Sequence, residues 1–165
     1  MNIISDLIIP PIIVGVLITM IIGTNMLLTN STSEVLVTHQ LQSTANNTIV
    51  IVKEEVRSLK RILTISNSTM SFVESDLDTV YLSKNGEYLN TIRVPFGGGA
   101  PTNNSYFLRL DSLSFQTVGG GGLSPTFLRV TSLVKSSSNQ QTFDKLQYKA
   151  VAQQDIYLTN LHLSN

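Results

Sequence analysis

The sequence predicts an α+β protein: a long N-terminal α-helix, apolar in its first half and amphipathic in its second, followed by a small antiparallel β-sheet domain. Leu7–Leu28 is an apolar run without a charged residue, and from Leu41 apolar residues recur every three or four positions. After Thr64 the apolar residues alternate, and turn residues separate short segments. Helix followed by successive strands is typical of α+β proteins, so we divide the chain into residues 1–64 and residues 65–165.

The apolar run is long enough to cross a membrane. Its 22 residues, Leu7–Leu28, carry no charge. A helix of that length, at about 1.5 Å of rise per residue, spans about 33 Å, which matches the hydrocarbon core of a bilayer. No Lys or Arg precedes the run, and Thr24-Asn25-Met26 is a poor cleavage site for a signal peptidase. We therefore interpret the run as a retained membrane helix.

Asp6 is the only charged residue before Glu34. One interpretation makes it the N-cap of the helix, where its carboxylate accepts hydrogen bonds from first-turn N–H groups, with Pro10 and Pro11 tolerated in the first turn. The alternative is that a carboxylate at the edge of an apolar helix needs a cationic partner, such as the terminal amine of a neighbouring copy. The residues leave both interpretations open.

The second half of the helix has one apolar stripe, with the charged residues off that stripe. The stripe consists of Leu41, Ala45, Ile49, Val52, Val56, Leu59 and Leu63. We therefore expect the helix to continue to about Leu63.

Seven segments after the helix read as strands. They are Met70–Val73, Thr79–Leu82, Tyr88–Val94, Tyr106–Leu110, Leu113–Val118, Thr126–Val134 and Ile156–Leu163. Asn85-Gly86 predicts a tight hairpin turn with positive φ angles. Phe96–Pro101, Gly119–Gly122 and Ser136–Gln141 are predicted to be loops.

Composition narrows the classes of function. The 11 basic residues are balanced by 11 acidic residues, which argues against nucleic acid as a partner, since a phosphate backbone demands clustered cations. Charged residues make up only 13% of the chain, and its polarity comes from Ser, Thr, Asn and Gln. Such a surface suits a protein outside the cytoplasm or one packed against copies of itself. The chain has no cysteine, so it has no disulfide and no thiolate metal site.

No segment carries a pattern typical of catalysis. Glu74, Asp76 and Asp78 alternate and are weak candidates for a metal site, but the run lacks the glycine and the distal Glu of a calcium loop, so we expect a solvated turn. The glycine runs are not followed by Lys-Ser or Lys-Thr, and no Gly-x-Ser-x-Gly is present. We therefore predict no enzyme activity, no cofactor and no small-molecule substrate.

The layout resembles that of type IV pilins and pseudopilins. Asp6–Leu28 has the acidic residue followed by an apolar helix, and Ile65–Leu82 has a strand with Phe72, an acidic turn and a strand with Tyr81. The resemblance implies that Asp6 matches the acidic residue that pairs with a neighbour's terminal amine during assembly, although this family usually has Glu there. It also implies processing of a leader after glycine, and no glycine precedes Asp6.

From these observations we expect a structural subunit of a pilus-like helical surface filament, a homopolymer whose N-terminal apolar helices pack in the filament core. The chain would reside in the inner membrane before assembly and in an extracellular filament afterwards. The alternative is a single-pass membrane-anchored β domain that acts as a binding or secretion-complex module. The residues predicted to mediate assembly are Asp6, Leu7, Ile8, Ile9, Ile12, Ile13, Val14, Val16, Leu17, Ile18, Ile21 and Ile22.

Overall fold

The computed structural model describes residues 3–121, 124–137 and 147–162, with the side chains of 10–120, 125–137, 147–159 and 161. The predicted α+β class is confirmed, since one long helix precedes antiparallel strands. The chain divides into two compact units, residues 1–37 and residues 38–165.

The described elements follow one another in a simple order. They are α1 (Ile3–Glu55), a 3-10 turn (Val56–Ser58), β1 (Leu59–Ile65), β2 (Thr69–Glu74), β3 (Thr79–Asn85), β4 (Tyr88–Val94), β5 (Thr102–Phe107), β6 (Leu110–Gly121), β7 (Ser124–Lys135), β8 (Lys149–Tyr157) and α2 (Thr159–His162).

The start of α1 corrects one interpretation of Asp6. Residues from Ile3 onward are helical, so Asp6 lies inside the helix and is not its N-cap. Pro10 and Pro11 are likewise inside the helix and not in its first turn. Proline has no N–H to donate four residues back, so the backbone carbonyls of Asp6 and Leu7 lose their usual partners in the helix.

The second half of α1 buries the predicted stripe. Leu41, Ala45, Ile49 and Val52 are all less than 5% exposed. The same spacing predicted helix as far as Leu63, and this part of the prediction is wrong.

The helix ends at Glu55, and Leu59–Ile65 is strand β1. Leu59 and Ile62 are both buried although they stand three residues apart, which a regular strand does not allow. The reason is that the pairing of β1 with β2 shifts register between Leu59 and Arg61; a second shift follows between Ile62 and Thr64. A register shift of this kind places two residues that are three positions apart on the same face of a strand. The spacing of the buried residues in β1 therefore resembles that of a helix.

The strands form two antiparallel sheets within the second unit. The first has five strands in the order β1-β2-β3-β4-β5, and the second has three in the order β6-β7-β8. Each sheet has one face rich in buried apolar residues, and these alternate along the strands. The largest fully buried side chains on β2 to β4, β6 and β7 include Phe72, Met70, Val80, Leu82, Leu89, Leu110, Leu128, Val130 and Val134.

The hairpin between β3 and β4 is confirmed at its predicted place. Asn85 pairs with Tyr88, so the connection consists of Gly86 and Glu87 alone. Gly86 has a φ of 57°, a value that suits glycine, whereas Asn85 and Glu87 do not have positive φ. The prediction of positive φ is therefore right for the glycine and wrong for the asparagine.

The last third of the chain departs from the prediction in three places. Residues 119–121 were expected to be loop, but they extend β6, with Gly120 opposite Pro125. The predicted strand Tyr106–Leu110 covers the end of β5 and the first residue of β6. The final strand is β8, which begins at Lys149 and stops at Tyr157 before α2; Leu163 and residues 138–141 lie outside the described residues.

Candidate functional site

The apolar surface of α1 in the first unit is the most unusual surface of the described chain. Ten large apolar side chains between Ile12 and Met26 are 52% to 65% exposed, and they point in every direction around the helix. A helix that is apolar on all sides belongs in a membrane or a protein core and not in water. Among the described helices, α1 alone is long and apolar enough to cross a membrane, and its most apolar window has no buried residue.

Hydroxyl groups in and after this segment are satisfied by the helix itself. Four threonine hydroxyls each donate to the carbonyl oxygen four residues earlier, at 2.8 to 2.9 Å: Thr19 to Gly15, Thr24 to Met20, Thr29 to Asn25 and Thr32 to Leu28. Such bonds remove the need for water at the hydroxyl, so these threonines are compatible with an apolar surrounding.

Residues that usually hold a helix at a membrane surface are missing from the flanks of this segment. Membrane helices carry Lys, Arg, Trp or Tyr near the interfaces. From residue 1 to Val52 the sequence has none of these four residue types, and Lys53 is the first cation of Lys or Arg type. The sequence between the apolar run and Lys53 therefore carries none of the usual interface residues.

Thr29–Val37 continues the helix beyond the apolar run. Its side chains are exposed except for a half-buried Val37, and Val35 and Leu36 are among the exposed apolar residues. Thr, Ser, Asn and Val are poor helix formers, and isolated helices of such residues are marginal in water. This part of α1 therefore needs packing that the described single chain does not supply.

No family model, curated protein or solved structure matches the chain. The resemblance to type IV pilins therefore stays a prediction, as do the roles assigned to the assembly residues. The side chains of Asp6, Leu7, Ile8 and Ile9 lie outside the described ones. The other predicted assembly residues form the exposed apolar surface, and these are Ile12, Ile13, Val14, Val16, Leu17, Ile18, Ile21 and Ile22.

A polar cluster in the second unit contains the weak metal candidates. Oxygen atoms of Glu74, Asp76 and Asp78 lie within 4.8 Å of one another. Asp78 accepts a hydrogen bond from the backbone N–H of Phe96 at 3.0 Å, and Asp76 is exposed. Glu74 is buried, so the expected solvated turn is wrong for this residue.

Glu74 is held by a cation of the protein itself. Arg93 donates to both of its carboxylate oxygens, at 2.9 Å and 3.0 Å, and the Ser58 hydroxyl donates at 2.6 Å. The same guanidinium reaches Glu55 at 3.4 Å. A two-bond contact of this kind is the strong form of an ion pair. Glu74, Arg93 and Glu55 therefore form a structural ion network, and a metal site at Glu74, Asp76 and Asp78 stays a prediction.

The network shifts the pKa values of its members. The hydrogen bond with Glu74 raises the pKa of Arg93, so the guanidinium stays charged. Burial raises the pKa of Glu55 above its ordinary value of 4.5, and the nearby Arg93 offsets part of that effect. Glu55 is therefore the member for which the charged form is disfavoured.

The sequence contains a signal for this network, which is the position of two charged residues among inward-facing strand residues. Arg93 follows Leu89 and Thr91 at intervals of two, and both of those residues are buried. Glu74 likewise follows Met70 and Phe72 on β2 at intervals of two, and both of those residues are buried. A charge at an inward position of a strand predicts a buried partner of opposite charge, so Arg93 and Glu74 were recognisable as a pair once strand parity was assigned.

A small cleft of about 240 Å³ also lies in the second unit. It is smaller than the usual range for small-molecule sites. A carboxylate oxygen of Glu54, which lines this cleft, lies 3.7 Å from a guanidinium nitrogen of Arg57. It is lined by Lys53, Glu54, Val56, Arg57, Ile156, Tyr157 and Thr159.

The first prediction concerns Arg93. Replacing Arg93 by Met leaves the buried Glu74 carboxylate without its cation, and we expect a loss of about 3 kcal/mol in the free energy of unfolding at neutral pH. Arg129 is the matched control, because it also contacts a carboxylate through two bonds, to Asp155, but on an exposed face. Denaturant unfolding of Arg93→Met and Arg129→Met should show a large effect only in the first. Equal effects would contradict a structural role specific to the network.

The second prediction concerns the pH dependence of stability. Because the pKa of Glu55 is raised on folding, folded Glu55 holds its proton at pH values where unfolded Glu55 has lost it. The free energy of unfolding of the wild type should therefore fall relative to that of Glu55→Gln as pH rises from 4.5 through the raised pKa of Glu55. Above that pKa, the difference between the two proteins should stay constant. Urea unfolding of both proteins across this range measures it. A difference that stays constant with pH would show that Glu55 does not titrate abnormally.

Proposed function

We propose that this protein is a structural subunit of a helical surface filament. Its apolar N-terminal segment resides in a membrane before assembly and is covered by the same segment of other copies afterwards. The observation that supports this most is the apolar surface of α1, uncharged from Leu7 to Leu28 and exposed on all sides.

The size of this surface requires that something cover it. Burying a large aliphatic side chain is worth about 1.5–3 kcal/mol. Ten such side chains that are about half exposed therefore represent on the order of 10 kcal/mol, as much as the whole stability of a small domain. The segment does not remain in water at that cost, so it is either in lipid or packed against protein.

Two observations favour copies of the chain as the final covering. No Lys, Arg, Trp or Tyr stands between the apolar run and Lys53, and the side chains of Thr29–Val37 are exposed apart from a half-buried Val37. Lipid covers only the apolar run. Neighbouring helices cover both the apolar run and the polar, uncharged turns that follow it, where exposed Val35 and Leu36 have no partner within the described chain.

Two glycines supply a means of close helix packing. Lipid tails are as apolar as leucine, so helices leave lipid for each other through close packing and not through hydrophobicity. Gly15 and Gly23 are eight residues apart and lie near one face of α1. A Cβ built at either position meets nothing within 4 Å, so packing within the chain gives no reason for glycine there. The close approach of a neighbouring helix would explain glycine at both positions.

The third prediction tests this packing. Gly15→Leu leaves the segment apolar, so the chain should still enter membranes, but the larger side chain keeps neighbouring helices apart. We expect at least a tenfold loss of filaments in sheared surface material viewed by electron microscopy, with an unchanged membrane fraction. Met20→Leu is the matched control, because it places leucine at an exposed apolar position outside the predicted assembly residues without removing a small residue, and it should assemble normally.

The same experiment separates the two functions considered. Normal filaments in Gly15→Leu would reject the glycine contact. A wild-type chain that stays entirely with membranes and forms no filament would replace the filament by the membrane-anchored binding or secretion module.

The fourth prediction concerns Asp6. If its carboxylate sets the register between copies by pairing with a cation of a neighbour, Asp6→Ala should reduce filament yield while the second unit stays folded. Asp6→Glu keeps the carboxylate and should restore most of the yield. Wild-type filament levels in Asp6→Ala would reject the register role, and circular dichroism of the purified variant would check the fold.

A further inference from the structure

The face of the five-stranded sheet that points away from its buried side has an unusual composition. It is formed by the odd-numbered residues of β2, β3 and β5 and the even-numbered residues of β4, as the pairing of the strands shows. We call it the outer face. None of these residues is charged, whereas Arg61 of the neighbouring strand β1, opposite Val73, is an exposed cation on the same side of the sheet. The charged residues of these four strands, Glu74, Lys84 and Arg93, all have the opposite parity.

Three aromatic rings stand on the outer face. Tyr81 and Tyr88 are each 45% exposed, and Phe107 is 54% exposed. Tyr88 and Phe107 lie directly opposite each other on β4 and β5, with ring centroids 5.2 Å apart and planes inclined at 52°. Three exposed rings on one uncharged face offer a rigid apolar surface to a partner.

Hydroxyl and amide groups lie between these rings. Ser83, Asn90 and Ser105 form one row across β3, β4 and β5. The Ser105 hydroxyl donates to the Asn90 side-chain oxygen at 2.7 Å, which orients the Asn90 amide nitrogen as a donor. Tyr88 lies on one side of this row. On the other side, Tyr81 pairs with Ile92, four residues from Tyr88 along β4, or about 14 Å.

We infer that the outer face binds a neutral polysaccharide chain. The ring faces of Tyr81 and Tyr88, about 14 Å apart, accept the C–H edges of sugar rings, and the polar row between them meets sugar hydroxyls, which both donate and accept. The absence of charge selects against phosphate, carboxylate and ammonium groups, which require a countercharge when they lose water. An extended, uncharged and hydroxyl-rich chain matches this face in charge and in length.

A second copy of this protein matches the outer face less well. Protein interfaces place apolar residues at the centre and polar residues at the rim. Here the polar row is central and the rings flank it. Pairing two such faces would require every central hydroxyl and amide to meet a fixed partner, whereas the hydroxyls of a sugar rotate to suit.

The three-stranded sheet supplies an internal comparison. Its exposed face also carries an aromatic pair, Phe127 and Tyr157, with ring centroids 5.5 Å apart. The next row on that face holds the ion pair of Arg129 with Asp155 at 2.7 Å. The two faces thus share an aromatic pair and differ in charge. This inference concerns the second unit alone and does not depend on how the apolar segment of α1 is covered.

The fifth prediction tests the outer face with defined oligosaccharides. The full chain is purified in a detergent without a sugar headgroup and titrated calorimetrically with hexamers of β-linked glucose, mannose and xylose, and with a hexamer of galacturonic acid. We expect at least one neutral hexamer to bind at least tenfold more tightly than the acidic one. Tyr88→Ala should weaken that binding at least tenfold, and the matched control Tyr157→Ala should bind like the wild type.

Further variants separate binding from folding. Asn90→Asp keeps the side-chain size and introduces a charge into the polar row, so it should also weaken binding while thermal unfolding stays unchanged. If Tyr88→Ala lowers the unfolding temperature, Phe107→Ala on edge strand β5 provides the aromatic test.

Three results would overturn the inference. One is that no neutral hexamer binds. Another is that Tyr88→Ala and Asn90→Asp bind like the wild type. The third is concentration-dependent association of the wild-type chain that Tyr88→Ala abolishes, which would make a second copy the occupant of the outer face.

Discussion

An apolar helix surface has to be removed from water, and α1 meets this requirement in two different ways along its length. In the second unit, the helix buries a single stripe that includes Ala45 and Val52, and its charged residues Lys53 and Glu54 lie off that stripe. In the first unit the apolar side chains surround the helix, and no single neighbouring element can cover them all. The first part of α1 therefore depends on an external medium, lipid or other copies, while the second part is stabilised within its own unit.

The polar groups of the first unit are also consistent with a helix surface that is removed from water. Threonine hydroxyls that would need water bond to the helix itself, and charged residues are absent from the apolar run. The exceptions are the carbonyls of Asp6 and Leu7, whose usual donors are replaced by prolines. The first turns of α1 therefore contain two backbone acceptors without their usual donors in the helix.

Charge separates the two faces of the five-stranded sheet. Glu74 and Arg93 lie on the buried side, where each supplies the other's countercharge and Ser58 supplies a further hydrogen bond. On β2 to β5 the outer side carries rings, aliphatic side chains, hydroxyls and amides without a charge, and Arg61 of β1 lies beside it. A buried charge is tolerated only with a partner, so the inner charges are structural. An exposed face has no such requirement, and its lack of charge is better explained by what it binds than by folding.

Periodicity along the chain was sufficient for the fold class, for the buried stripe from Leu41 to Val52 and for the hairpin at Gly86. These features depend on neighbours in sequence, since helix period, strand alternation and turn chemistry are local. The uncharged length of Leu7–Leu28 likewise established, without coordinates, a segment able to cross a membrane.

Tertiary structure decided the rest, because the deciding contacts join distant residues. Leu59 and Ile62 have helical spacing, and only the register shift against β2 between Leu59 and Arg61 makes that spacing compatible with a strand. Gly120 lies within β6 because Pro125 of the neighbouring strand pairs with it, which outweighs the preference of glycine for loops. Glu74 belongs to an ion network because the fold brings Arg93, 19 residues away, within 2.9 Å. Local patterns report on one element at a time, whereas pairing and burial depend on which elements meet.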